Sequence, residues 1–176
     1  DVTAYHQSYY IGHKVGYPLY ENTDVVFYKE AADGFHAQIE EMKKAQKFIF
    51  MEYHAIEDRE AFAEMKAVLF AKAKEGVEVR IVYDDVGSVG FISPEFVKQM
   101  KAHGIDCRIF NPMMPVLNIF MNNRDHRKIT VIDGRVGFTG GYNLANEYFN
   151  ITHPYGVWKD SGVRLEGEAV RSLTLI

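Results

Sequence analysis

Beyond residue 24 the chain repeatedly switches between two hydrophobic periods, and no other feature of the sequence limits its fold as much. Val25-Val26-Phe27-Tyr28, Phe48 to Tyr53, Val77 to Tyr83 and Asp106 to Phe110 are short runs dense in aromatic and β-branched residues, each predicting a strand. Helical stripes fall between them. Phe35, Ile39 and Met42 recur at i, i+4 and i+7, and Phe62, Met65 and Leu69 mark a helix from about Glu60 to Lys74. Ser93-Pro94-Glu95 supplies an N-cap, an N1 proline and a first-turn acid for a third helix, which ends at Gly104. Gly76 stands where the second helix needs a left-handed residue to stop. Strands alternating with helices predict an α/β fold with a mixed, mostly parallel central sheet flanked by helices. Residues 1–21 show no sustained period and read as an irregular lead-in to one domain over 22–176.

Composition removes several classes of function. With 47% hydrophobic and 25% charged residues the chain can bury a core, so it is not disordered. One cysteine, Cys107, excludes an internal disulfide and any cysteine-based zinc site. The longest apolar runs, such as Phe48 to Met51, fall far short of the roughly 18 residues a membrane span requires, and residues 1–20 hold no signal-peptide core. A net charge of −4 without a Lys/Arg run speaks against nucleic acid as a partner. The chain begins at Asp1, not Met, and we read it as a fragment.

The chemistry concentrates after Asn122. Lys128 to Thr139 reads as two strands around Asp133-Gly134, a dipeptide suited to the type I′ turn, in which both central residues need φ > 0. A two-residue turn there makes residues whose numbers sum to 267 face each other, setting His126 opposite Gly141 with Asn143 just past it. Alternation puts His126 and Lys128 on one face. An imidazole, an ammonium and a carboxamide then meet beside Gly140 and Gly141. The missing side chains leave room and backbone N–H groups for a tetrahedral oxyanion such as phosphate. His-x-Lys-x4-Asp alone is a weak pattern, but adding Gly-Gly-x-Asn lowers the chance expectation to roughly 10⁻⁵.

This segment, His126-x-Lys128-x4-Asp133-x6-Gly140-Gly141-x-Asn143, resembles the HKD motif of the phospholipase D superfamily. Tyr83 to Ser88, Phe110-Asn111-Pro112, Asn143 to Tyr148, Trp158-Lys159-Asp160 and Arg164 to Gly167 are similar to its bacterial cardiolipin synthase branch, in family order over about residues 22–171. The resemblance implies a phosphatidyltransferase that works through a phosphohistidine, without metal or other cofactor. His126 would be nucleophile or general acid, and Lys128 and Asn143 would hold the non-bridging phosphate oxygens. Asp160 would accept a hydrogen bond from the imidazole, freeing the other ring nitrogen. Asp133 belongs to the motif by name, yet the turn directs it away from His126, so we read it as structural.

The resemblance also implies two such motifs per site, and here only His126 is followed two residues on by lysine. We expect the N-terminal half of a longer, membrane-anchored enzyme acting on phosphatidylglycerol, itself soluble as a fragment. The alternatives are a homodimeric phosphodiesterase or nuclease, and an inactive module that binds a lipid headgroup. Three stretches keep two readings each. Glu52 is either paired near the site, where it would serve phosphate binding, or simply at the surface. Asp84 and Asp85 either border a cleft or form an ordinary loop, with no metal expected. Pro112 to Met121 either touches acyl chains through its methionines or is partly core.

Overall fold

The computed structural model describes residues 1–113 and 122–176. It contains seven strands: β1 (Thr23–Tyr28), β2 (Phe48–Tyr53), β3 (Glu78–Asp84), β4 (Asp106–Phe110), β5 (Lys128–Ile132), β6 (Val136–Gly140) and β7 (Gly162–Gly167). Among the described residues the α-helices are α1 (Val2–Tyr10), α2 (Ala31–Lys43), α3 (Glu60–Lys74), α4 (Pro94–Ala102) and α5 (Val170–Leu175). The sheet order is β1-β7-β6-β5-β2-β3-β4.

The sheet is mixed, as the alternation predicts, but it is not mostly parallel. Only β2–β3 and β3–β4 pair in parallel, joined by crossover helices α3 and α4. From β2 to β1 every pairing is antiparallel. Strand–helix order alone could not show this: β5 and β6 are joined by a tight turn and β6 and β7 by residues 141–161 without an α-helix, so neither connection is the helical crossover of a usual parallel pair.

Strand β2 shows how the sequence assigns the two faces. Ile49, Met51 and Tyr53 are buried beneath α2 and α3, while Phe48, Phe50 and Glu52 point to the other face and are half-buried. Phe62, Met65 and Leu69 of α3 are fully buried against the first face, each contributing about 1.5–3 kcal/mol by leaving water. Gln38 of α2 is also fully buried, and its amide nitrogen donates to Tyr53 Oη (3.0 Å) and Thr130 Oγ1 (2.6 Å), tying α2 to β2 and β5. The second face is covered by α5, which packs Val170 and Leu173 on Ile129 and Val131. A cleft of about 260 Å³ remains there beside Phe50 and Arg80.

The lead-in is not irregular. Asp1 caps α1 through Thr3 N–H (2.9 Å), and a π-helical turn over Ile11–Val15 follows. No residue of α1 is buried, so no stripe marks it in the sequence; capping and ring contacts between Tyr5, Tyr9 and His13 accompany the helix. Most of the methionine-rich stretch, Met114 to Met121, lies outside the described residues, and with it the expectation of a lipid-contacting loop. Met113 is exposed and donates its N–H to Asp85 Oδ2 (2.6 Å). Cys107 is buried within β4, and burial pushes its thiol up to about 12. Among the described residues no helix is long and apolar enough to cross a membrane.

Candidate active site

The hairpin that carries the motif closes through the expected turn but in a shifted register. Asp133 and Gly134 both have positive φ (55° and 66°), and Arg135 N–H donates to Ile132 O (3.0 Å). Val136, not Arg135, then faces Ile132, so opposing residue numbers sum to 268. Arg135 is the extra residue. Its carbonyl accepts from Gly167 N (3.2 Å), and its guanidinium bridges Glu41 and Glu166 at 2.7 Å each. Such pulls from outside the hairpin leave no trace in a turn dipeptide.

Asp133 sits at the turn, a strand's length from His126. Its carboxylate accepts from the backbone N–H groups of Gln46 (2.9 Å), Lys47 (2.7 Å) and Phe48 (2.9 Å). Burial pushes this carboxyl up, but the three donors outweigh it and hold it below the usual aspartate range. Asp133 therefore fastens the hairpin to the start of β2 and is not in the catalytic group.

At the other end, Lys128 opens β5 opposite Tyr53 and is 6% exposed. Its ammonium donates to His126 O (2.8 Å) and lies 3.3 Å from His126 Nδ1. Burial lowers its pKa, partly offset by the negative charges of Asp160 and Asp125. His126 itself precedes β5 and is exposed. The positive charge of Lys128, then burial, then His54 hold its pKa below 6.5, against the weaker pull of Asp125 and Asp84. An exposed imidazole kept neutral beside a buried cation is a sound place to receive a phosphodiester.

The remaining members are brought close but differently employed. Asn143 is buried; its Oδ1 accepts from Ala55 N (3.0 Å), and its Nδ2 donates to Tyr148 Oη (2.7 Å). One amide hydrogen is thus engaged by the protein, and a carboxamide nitrogen carries two. Asp160 does not bond to His126. Its carboxylate accepts from Ser161 N (2.9 Å) and Trp158 Nε1 (3.3 Å) and acts on Lys128 through its charge.

Gly141 makes room for that carboxylate, and Gly140 for the backbone after it. A Cβ on Gly141 would overlap Asp160, coming 2.7 Å from its Cγ, and one on Gly140 would lie 2.7 Å from Ser161 O. Gly141 N–H donates to Ser161 O (3.2 Å), so the pair is not the expected set of bare phosphate donors.

Glu52 belongs to the opposite face. It pairs with Ile129, one residue out of step with Lys128, and meets Arg127 Nη2 at 2.6 Å. Burial and the neighbouring Asp125 carboxyl push it up to about 7, with Arg127 pulling the other way. Asp125 is driven up by burial too, but hydrogen bonds from Glu52 and Arg127 hold it below its ordinary value. Strand alternation therefore removes Glu52 from phosphate binding and makes it half of a proton-sharing carboxyl pair.

Two residues that the motif does not include complete the site. Asp84 is fully buried and holds three groups: Asp125 N–H (2.9 Å), Gly87 N–H (3.0 Å) and Arg124 Nη1 (3.2 Å). His54, just beyond β2, places its ring 4.6 Å from that of His126. Asp84 closes β3 and His54 follows β2, its parallel neighbour; the strand-end position was the sequence signal that pointed to Asp84, and none pointed to His54. Among the described residues no group of three or more His, Cys, Asp or Glu is placed to hold a metal ion.

Residues 38–165 match the family model described as cardiolipin synthase, PLD-like domain. A cardiolipin synthase 2 of Bacillus cereus is 42% identical over 143 residues, covering 81% of this chain and 28% of that protein. A cardiolipin synthase of Geobacillus thermodenitrificans is 38% identical over 172 residues, covering 97% of this chain and 34% of its own length. The chain thus spans about a third of such curated relatives. Among solved structures, Nuc of Salmonella typhimurium, a phospholipase D family member, superposes with a TM-score of 0.65 at 18% identity, covering 87% of this chain and 90% of that one. That likeness is one of fold.

Proposed function

The chain belongs to the phospholipase D superfamily as a cardiolipin-synthase-type domain, and on that premise we propose that it is one catalytic half of a phosphatidyltransferase that joins two phosphatidylglycerol molecules and releases glycerol. The observation that carries this reading is the buried Lys128 ammonium held 3.3 Å from Nδ1 of the exposed His126 ring.

The chemistry needs two imidazoles. One attacks phosphorus while the other, protonated, gives its proton to the departing glycerol oxygen, so a P–N bond forms as the P–O bond breaks. The hydroxyl of a second phosphatidylglycerol then surrenders its proton to that second imidazole and displaces the phosphohistidine.

Either role works through a ring nitrogen turned to substrate. While Lys128 is charged it can only donate, so Nδ1 of His126 holds the lone pair and Nε2 the hydrogen. A phosphate oxygen that draws the ammonium away from Nδ1 releases that tautomer, which couples substrate arrival to the readiness of the ring. The charge of Asp160 favours the ammonium form of Lys128 against the burial that lowers its pKa.

The chain has one His-x-Lys pair, so the second imidazole comes from a further half of a longer protein or from a second copy of this one. The membrane is reached through that larger assembly. Incubation with phosphatidylglycerol vesicles, followed by an alkaline quench and mass spectrometry, tests the reading. A phosphatidyl adduct on His126 or its partner histidine, together with loss of cardiolipin formation in His126→Ala, is expected. Undiminished cardiolipin formation by His126→Ala would overturn it. Sedimentation over a wide concentration range distinguishes the sources of the second histidine: a tight dimer of this chain supports a second copy, and a monomer supports a further half.

A further inference from the structure

The contacts that hold the His126 ring come from Lys128 and from a second imidazole, His54, that is no part of the motif. His54 is bonded on both sides of residue 126. Its backbone N–H donates to Arg127 O (3.1 Å), the residue after, and its ring Nδ1 lies 2.8 Å from Asp125 O, the residue before. A carbonyl can only accept, so Nδ1 carries the hydrogen. Between these two bonds the rings face each other, with centroids 4.6 Å apart and planes inclined by 47°.

The far side of His54 is closed by Gly87, where a Cβ would come within 2.7 Å of ring atoms Cε1 and Nε2. Gly87 is itself anchored by Asp84, which also takes the N–H of Asp125. Asp84, Gly87, His54 and Asp125 therefore close a circuit of contacts around the backbone that presents His126. That backbone needs such support, because β5 begins only at Lys128 and the pairing reaches toward residue 126 only through the His54 N–H to Arg127 O bond.

We propose that His54 is a positioning residue for His126, fixing the plane and direction of the reacting imidazole by bracketing its backbone and packing against its ring. The inference rests on the reading of His126 as the reacting group. A reacting atom held in near-attack geometry gains rate without tighter substrate binding, so the loss of His54 should fall on kcat and spare KM. The charged groups that face His126 from the neighbouring elements are Lys128 of β5, Asp125 beside it and Asp84 at the end of β3.

The test compares His54→Phe with His54→Asn in the assembly that turns over phosphatidylglycerol. Phenylalanine keeps a ring and loses the donor to Asp125, whereas the asparagine amide nitrogen stands about where Nδ1 does. We expect His54→Phe to lose roughly 10–100-fold in kcat with KM within about twofold, and His54→Asn to recover a large part of that loss. NMR of the His126 ring supplies a readout that needs no turnover. Its resonance should move in His54→Phe, and its titration midpoint should rise in both variants, since each removes the His54 charge that lowers it.

Wild-type kcat together with an unmoved His126 resonance in a folded His54→Phe overturns the inference. So does a raised KM with kcat unchanged, which would make His54 a substrate contact. Should the phenylalanine variant not fold, the asparagine variant decides: an unmoved His126 resonance and midpoint there overturns the inference equally. Activity surviving in His126→Ala would strike the underlying reading instead.

Discussion

The two ends of the β5–β6 hairpin are separated by about 17 Å, five residues of strand, and they treat charge in opposite ways. At the turn, Asp133 gives its carboxylate to three backbone N–H groups and has its charge fully spent on holding β2. At the open end, Lys128 is buried with one carbonyl and one imidazole for partners, and His126 is kept neutral by that unspent charge. One short motif thus contains a finished structural joint and an unfinished site. Residues that share a motif's name need not share its chemistry.

The strongest way to break this contrast is His126→Ala. Turnover should fall about a thousandfold or more in any form of the assembly that is active, while the melting temperature stays put, because the ring is exposed and outside the ladder. Lys128→Met should cost about a hundredfold in turnover and weaken binding of inorganic phosphate, yet it should not lower the melting temperature. Relieving the desolvation of a buried ammonium offsets the loss of its two contacts. A clear drop in stability would mean that the open end is as structural as the turn.

Asp133→Ala should do the reverse. Losing three charge-assisted bonds should cost about 2–3 kcal/mol, or several degrees in melting temperature, with kcat unchanged well below the transition. The pH dependence has a definite sign. The folded pKa of Asp133 lies below its unfolded value, so its stabilisation is present above that unfolded value and is lost as pH falls through the folded one. Wild type should therefore converge on Asp133→Ala in acid.

The smallest effect expected is that of Glu52→Gln, on the face away from the site. Glu52 keeps its proton in the folded chain up to about 7, against 4.5 in the unfolded one, so wild-type stability should decline as pH rises across that window. After allowance for the Arg127 guanidinium and for solvent screening, the decline amounts to about 1–2 kcal/mol. Glu52→Gln should flatten it in thermal melts, with catalysis unaltered. A loss of phosphate affinity in that variant would return Glu52 to the site.

Much of this was legible in the sequence where the physics is local. Helix α3 and strands β2 and β4 fall where their hydrophobic periods put them, and Gly76 and Ser93 stop and start helices as their backbone chemistry requires. The His126–Lys128 pair was readable from spacing because only one residue separates the two at the entry to β5. What could not be read depends on partners far along the chain. Arg135 leaves the hairpin ladder for acids at 41 and 166, His54 meets a carbonyl 71 residues away, and Asp84 binds a segment 41 residues on. Of the antiparallel side of the sheet only the β5–β6 hairpin was read; the rest was missed for the same reason, since β1 closes against β7 near the other end of the chain.

Gly141 and Asp160 illustrate what such distance means for a protein's history. Any side chain at 141 would collide with the carboxylate that steadies the lysine's charge, and removing that carboxylate first would leave the lysine to change without it. Neither position can be explored one step at a time without passing through an impaired intermediate. A randomised library that varies them separately should return the parent at both sites, and new solutions should surface only where the two are changed as a pair.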